Sequence, residues 1–142
     1  MKIEFHEFLA TIPEYTQVYT DGSKDSNGTA SAAIMGANQL AARLPNCASI
    51  FSAEIHAILL AFQLIAKSSN TKFMIFSDSL SSLQAIVGSH CGSKADVLDV
   101  SEKLHRLYHS GKSVEFCWIP SHVGIKGNEA VDLLAKRAKL RR

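Results

Sequence analysis

Apolar residues along this chain recur at two spacings, and the change from one to the other divides it into strands and helices. Residues 1–16 show no clear periodicity. Pro13 closes them, and they read as a lead-in segment, the end of a linker from something upstream. Residues 17–20 are β-prone and read as a strand. Asp25-Ser26-Asn27-Gly28 carries turn chemistry. Residues 29–35 read as a second strand, Gly36-Ala37-Asn38 as its turn, and 39–43 as a short third strand. Three consecutive strands with tight turns predict an antiparallel meander.

The apolar spacing then lengthens. Ile55, Ile58, Leu59, Phe62 and Ile65 recur at helical intervals, so a helix is expected to run to about residue 67. Ser52 is its expected N-cap, which puts Glu54 in the first turn, where the helix dipole favours negative charge. Residues 72–76 form a nearly continuous apolar run, as a central strand buried on both faces requires. Asp78 falls just past its carboxyl end, and Ser79 can cap a short helix over 80–87. A polar loop covers 88–94. Residues 96–110 are amphipathic, with Val97, Val100, Leu104 and Leu107 on one face, and Gly111 stops them. Residues 114–119 read as a strand with Trp118 in the core. After a loop over 120–127, Asn128 is the expected cap of a last helix, with Val131, Leu134, Ala135 and Ala138 facing inward. The order β-β-β-α-β-α-α-β-α predicts an α/β domain: a mixed five-stranded sheet, a meander followed by parallel strands, flanked by helices. The domain is expected over 17–140, with a basic tail at 141–142.

Composition narrows the function classes. The 142 residues are 46% hydrophobic and 20% charged, as in a folded single domain. No apolar run approaches the ~20 residues of a membrane span, and the N-terminus lacks the apolar stretch of a secretory signal, so no membrane partner is expected. Cys47, Cys91 and Cys117 are odd in number and lack CxxC spacing. That argues against a disulfide framework or zinc site and for an intracellular, reducing setting, without separating nucleus from cytoplasm. A net charge of +2 is small for a dedicated nucleic-acid-binding domain, but enough for an enzyme that brings its own cations.

Four carboxylates sit at element boundaries: Asp21, Glu54, Asp78 and Asp132. Carboxylates are hard oxygen ligands suited to Mg²⁺ or Mn²⁺. Two such ions about 4 Å apart can activate water and stabilise the leaving oxygen of a phosphodiester. Taken singly, each acid has a structural explanation: a turn Asp before Gly22, an exposed helix charge at Glu54 or Asp132, a helix cap at Asp78. Like charges are gathered only where a cation enters, so the convergence of all four would carry the functional reading. Ser23, Asn27, Ser79 and Asn128 are the candidate substrate contacts, although Asn27 is a turn residue first and Ser79 and Asn128 also suit caps. His105 and His109 have i, i+4 spacing but no evident third ligand, and read as a solvated face. The terminal Lys136, Arg137, Lys139, Arg141 and Arg142 favour a helix C-terminus electrostatically before they suggest a phosphate contact.

Thr20-Asp21-Gly22-Ser23, Phe51-Ser52-Ala53-Glu54, Phe76-Ser77-Asp78-Ser79, and Trp118-Ile119-Pro120-Ser121-His122-Val123-Gly124 followed by Gly127-Asn128-Glu129 and Asp132 together resemble type I ribonuclease H. More narrowly, they are similar to the ribonuclease H domain that non-LTR retrotransposons carry after their reverse transcriptase. The resemblance spans about residues 16–140. It implies a ribonuclease H-like fold and cleavage of the RNA strand of RNA–DNA hybrids by two Mg²⁺ ions (Mn²⁺ able to substitute), leaving 5′-phosphate and 3′-hydroxyl ends. Asp21, Glu54, Asp78 and Asp132 match the catalytic metal ligands, His122 the mobile-loop histidine, and Glu129 an accessory acid near the second metal. The implied partners are the hybrid and an upstream reverse transcriptase domain, with the isolated domain a monomer. Two departures concern grip rather than chemistry. Ile50 and Phe51 stand where cellular members carry polar amides, and Leu80 where they carry Gln. Residues 88–95 also lack the basic, Trp-rich substrate handle of some members, which predicts weak binding by the domain alone. The rival readings are a catalytically inactive binding module and a DNA-directed nuclease of the same superfamily. The four carboxylates with His122 argue against the first, and the Ser121 to Gly124 loop with Asn128-Glu129 against the second.

Overall fold

The computed structural model describes residues 2–88 and 95–140 of the chain. Ten elements follow one another: α1 (Lys2–Ala10), β1 (Thr16–Asp25), β2 (Gly28–Met35), β3 (Asn38–Leu44), α2 (Ile50–Lys67), β4 (Lys72–Ser77), α3 (Leu80–Gly88), α4 (Ala95–His109), β5 (Ser113–Trp118) and α5 (Lys126–Ala138). The five strands form one sheet in the order β3-β2-β1-β4-β5. β1, β2 and β3 pair antiparallel, and β1–β4 and β4–β5 pair parallel, as the sequence predicts.

Side chains alternate across a strand, and that alternation divides the core. Val18, Phe73 and Ile75 point to one face, where they pack with Ile55, Ile58, Phe62 and Ile65 of α2 and Val97 and Val100 of α4. Tyr19, Met74 and Phe76 point to the other, against Val131 and Ala135 of α5 and Phe5 and Leu9 of α1. β4 lies between β1 and β5 with both faces covered, so its run from Phe73 to Phe76 is wholly buried. Burying each such side chain contributes roughly 1.5–3 kcal/mol. α2 is long and apolar enough to cross a membrane, but ten of its residues are buried in this fold and its apolar face is that of a core helix.

Several sequence-based boundaries shift. α1 occupies much of the segment read as a lead-in without periodicity. β1 runs to Asp25 because the β1–β2 ladder continues through Asp25↔Gly28, and its polar second half hides the strand pattern. The N-cap of α2 is Ser49, not Ser52: Ser49 Oγ accepts the Ser52 N–H at 3.0 Å. Glu54 is thereby the fifth helical residue, past the first turn, and something other than the dipole must hold it. α5 begins at Lys126 with no side-chain cap, so Asn128 is inside the helix and buried. Trp118 is 46% exposed at the end of edge strand β5, rather than in the core. The expected loop at 89–94 and the tail at 141–142 lie outside the described residues.

Candidate metal centre

Asp21 lies one residue beyond the last rung that β1 shares with β4 (Thr20↔Ser77), where β2 alone still pairs with it (Asp21↔Ala32). Strand alternation turns it toward the α5 face, as it turns Tyr19. Glu54 reaches in from α2, Asp78 from the bend after β4, and Asp132 from α5. One carboxylate oxygen from each of Asp21, Glu54 and Asp78 lies within 4.8 Å of the other two. Asp132 joins them through a hydrogen bond between its carboxyl group and that of Asp21.

The approach of α2 depends on Gly22. A Cβ built there would stand 2.8 Å from the Ala53 carbonyl carbon and the Glu54 nitrogen, closer than any side chain tolerates. The Gly22 N–H donates to Glu54 Oε1 at 2.9 Å, and Ser31 Oγ donates to the Ala53 carbonyl at 2.6 Å. These two bonds supply the hold on Glu54 that the helix dipole does not. Asp78 is held twice: the buried Asn128 side-chain amide hydrogen-bonds its carboxylate, and Trp118 Nε1 donates to its carbonyl at 3.2 Å. Asn128 Oδ1 itself has no hydrogen-bond partner among the described residues.

Electrostatics mark the cluster as made for a cation. Burial, and then the charges of Glu54 and Asp78, push the Asp21 carboxyl up to about 9. Burial, and then the charge of Asp78, push Glu54 up to about 8 despite the Gly22 N–H. Asp78 is raised as well, by burial and then by the charge of Asp132. Asp132 behaves differently: burial raises it, but its bonds to Lys136 and Asp21 outweigh burial and leave it below the usual range. Lys136 Nζ lies 2.9 Å from Asp132 Oδ2, so an ammonium already stands where positive charge is wanted. Three acids that ionise only reluctantly, beside a fourth held by a lysine, fit divalent cations, whose charge would let all of them ionise together.

The other expected site residues are placed as follows. His122 is exposed with a left-handed φ of 57°, and its charge favours the ionised forms of Asp78 and Asp132. Glu129 is exposed on the first turn of α5. Ser23 is buried beside Asp21. Asn27 is exposed in the β1–β2 turn, its N–H bonded to Asp25 Oδ1 at 2.8 Å. Ser79 is half-buried, with its hydroxyl 2.7 Å from that of Ser82. His105 and His109 stand exposed on α4 with Nε2 atoms 2.9 Å apart, remote in sequence from the acids. Gly22, Trp118 and Lys136 escaped the sequence reading as site residues. The i, i+4 spacing of Asp132 and Lys136 was a usable signal for the last; a close approach and an indole bond across strands leave none.

A family model for RNase H matches residues 13–139. A sequence search among curated proteins gave no match. Among solved structures, RNase H1 from the halophilic archaeon Halobacterium salinarum superposes with a TM-score of 0.69 at 18% identity, covering 87% of this chain and 96% of that one. The N-terminal RNase H domain of a Mycobacterium tuberculosis protein gives 0.69 at 18% identity, with 87% and 94% covered. LC11-RNase H1, solved in complex with RNA/DNA hybrid, gives 0.65 at 15% identity, with 86% and 97% covered. Likeness at such identities establishes the fold; the family match over nearly the whole chain establishes more, and this chain belongs to the RNase H family, as a ribonuclease H with an acidic cluster fit for divalent metal.

Proposed function

We propose that the chain hydrolyses the RNA strand of RNA–DNA hybrids with two bound divalent cations, Mg²⁺ by preference and Mn²⁺ in its place, leaving 5′-phosphate and 3′-hydroxyl ends. The observation that carries this reading is the convergence of Asp21, Glu54 and Asp78 oxygens within 4.8 Å in an RNase H family chain. The hybrid bound by the neighbour LC11-RNase H1 supports the same substrate class here. Such duplexes are recognised by shape and 2′-hydroxyls rather than by base sequence.

When bound, the cations supply an activated water and charge compensation for the departing 3′-oxygen. Asp21, Glu54 and Asp78 would hold the cations, with Asp132, now paired with Lys136, as the fourth acid of the set. Asp21 and Glu54 must lose their protons on loading. His122, exposed beside Asp78 and Asp132, can deliver a proton to the leaving oxygen, and Glu129 is the accessory acid on the same helix. Asn27, exposed in its turn, remains the candidate substrate contact with most access, ahead of Ser23, Ser79 and Asn128. Ile50 and Leu80, 47% and 48% exposed, offer no hydrogen bonds to a backbone. Weak grip by the monomeric domain follows. An upstream reverse transcriptase domain would hold the hybrid during retroelement replication.

Cleavage of an end-labelled RNA–DNA hybrid with Mg²⁺, beside EDTA and Asp78→Asn controls, tests the proposal. RNA-strand cuts that need both the metal and Asp78 are expected. Cuts in duplex DNA, or hybrid binding with no cuts at all, overturn it.

A further inference from the structure

We infer that α1 is a positioning element of the active site: its apolar face fixes the β5–α5 loop that carries His122 and the first turn of α5. The inference rests on the reading above for its link to catalysis, and on packing for the rest. α1 lies before the first residue matched by the family model, at 13. Its side chains nevertheless reach the centre of the α5 face. Phe5 meets Phe76 edge-on, with ring centroids 5.3 Å apart. Phe76, two residues before Asp78, stacks on Tyr19 at 5.1 Å. Tyr19, two residues before Asp21, lies under Gly127 so closely that a Cβ there would stand 2.3 Å from the ring. An unbroken line of contact thus runs from α1 beneath two carboxylate-bearing strands to the start of α5, next to Asn128.

A second set of contacts bears on the loop itself. Phe5, His6 and Leu9 line a small cavity of about 190 Å³ together with Gly124, Ile125, Lys126 and Gly127. His122, two residues from that wall, holds a left-handed φ of 57°, a conformation uncommon for residues with a side chain. The far end of the segment is fastened as well. The Tyr15 hydroxyl bonds Glu115 on β5, and Lys72 Nζ sits 5.8 Å over the Tyr15 ring. The N-terminal segment is therefore fastened to β5 at Tyr15, while Phe5, His6 and Leu9 of α1 share a cavity wall with Gly124 to Gly127 at the start of α5.

Phe5→Ala combined with Leu9→Ala in the 142-residue chain tests this. Amide exchange over residues 121–127 should accelerate about tenfold while β2 and β3 stay unchanged, as for a local rather than global opening. With hybrid as substrate, kcat should fall about 5- to 10-fold with KM unaltered, since proton delivery rather than binding is loosened. Phe5→Leu, which keeps apolar volume, should restore both. Unchanged exchange over 121–127, or equal acceleration in β2 and β3, overturns the inference. If the parent chain does not cut hybrid, the functional reading fails, and the exchange result still decides the role of α1.

Discussion

Asp21 shows how far one side chain can be pushed before a ligand is required. Its carboxyl, ordinarily near 3.8, is driven to about 9 by burial and its acidic neighbours. Without metal, the folded state must carry a proton there that the unfolded chain gives up. Asn needs no such proton, yet it can still donate to Asp132. Asp21→Asn is therefore expected to be more stable than the parent in EDTA, by a margin that grows with pH from about 4 to about 9. On the proposed mechanism, the same substitution should lower hybrid cleavage by about 10³-fold or more, because several kcal/mol of charge stabilisation would leave with a metal ligand. Thermal melts in EDTA and single-turnover cleavage with Mg²⁺ check the two halves. A variant that melts lower and still cuts would remove Asp21 from the centre. At this scale the sequence was most informative about Asp21, Glu54 and Asp78, whose motifs carry the family resemblance and whose oxygens converge. It was least so at Trp118, whose β-alternation reads as core: at the end of an edge strand the same residue type is half in water, with its indole bonded to the Asp78 carbonyl.

Among elements, the contact of α2 with β1 is decisive, and it turns on a missing side chain. In Gly22→Ala the new methyl would meet backbone rather than a flexible tip, so α2 must move as a body. A loss of about 1–3 kcal/mol is expected, as for overpacked cores, and Glu54 should withdraw from Asp21. Urea denaturation measures the first effect. Mg²⁺-induced stabilisation, which should shrink, measures the second. Unchanged values in both would mean that the approach is looser than its 2.8 Å distances require. Helix and strand order was legible because each buried face repeats at its own period: Ile55, Ile58, Phe62 and Ile65 on α2, and the run through Phe73 to Phe76 on β4. Element ends were less legible. Ser49 and Ser52 are equally good caps in composition, and only the hydrogen bond between Ser49 Oγ and the Ser52 N–H decides between them. The pattern of α1 was obscure because, among its residues whose side chains are described, Phe5 and Leu9 alone pack against the core cluster.

Taken whole, the molecule gathers acids whose charges only a cation would let coexist. Asp21 and Glu54 bind protons more tightly folded than unfolded, with values of about 9 and about 8 against 3.8 and 4.5. Their contribution is full below the unfolded values and is lost as pH rises through the folded ones, so the metal-free protein should melt progressively lower from about pH 5 to pH 9. Asp132, held low, has the opposite sign and matters only in acid. Mg²⁺ should flatten the slope, adding about 2.7 kcal/mol at a hundred times its Kd, and most at high pH, where no protons need be displaced. Melts at pH 5, 7 and 9 with and without Mg²⁺ test this, and stability that rises with pH in EDTA would contradict it. The sheet also forks at the site: β1 keeps β2 beside Asp21 but parts from β4 at Ser77. The acid cluster thus joins Asp21, fixed in its ladder, to Asp78, which stands outside the ladder and is held by the Trp118 and Asn128 side chains. The chain's single tryptophan is bonded to that residue's carbonyl, so a shift of Asp78 on cation loading would be read directly in Trp118 fluorescence.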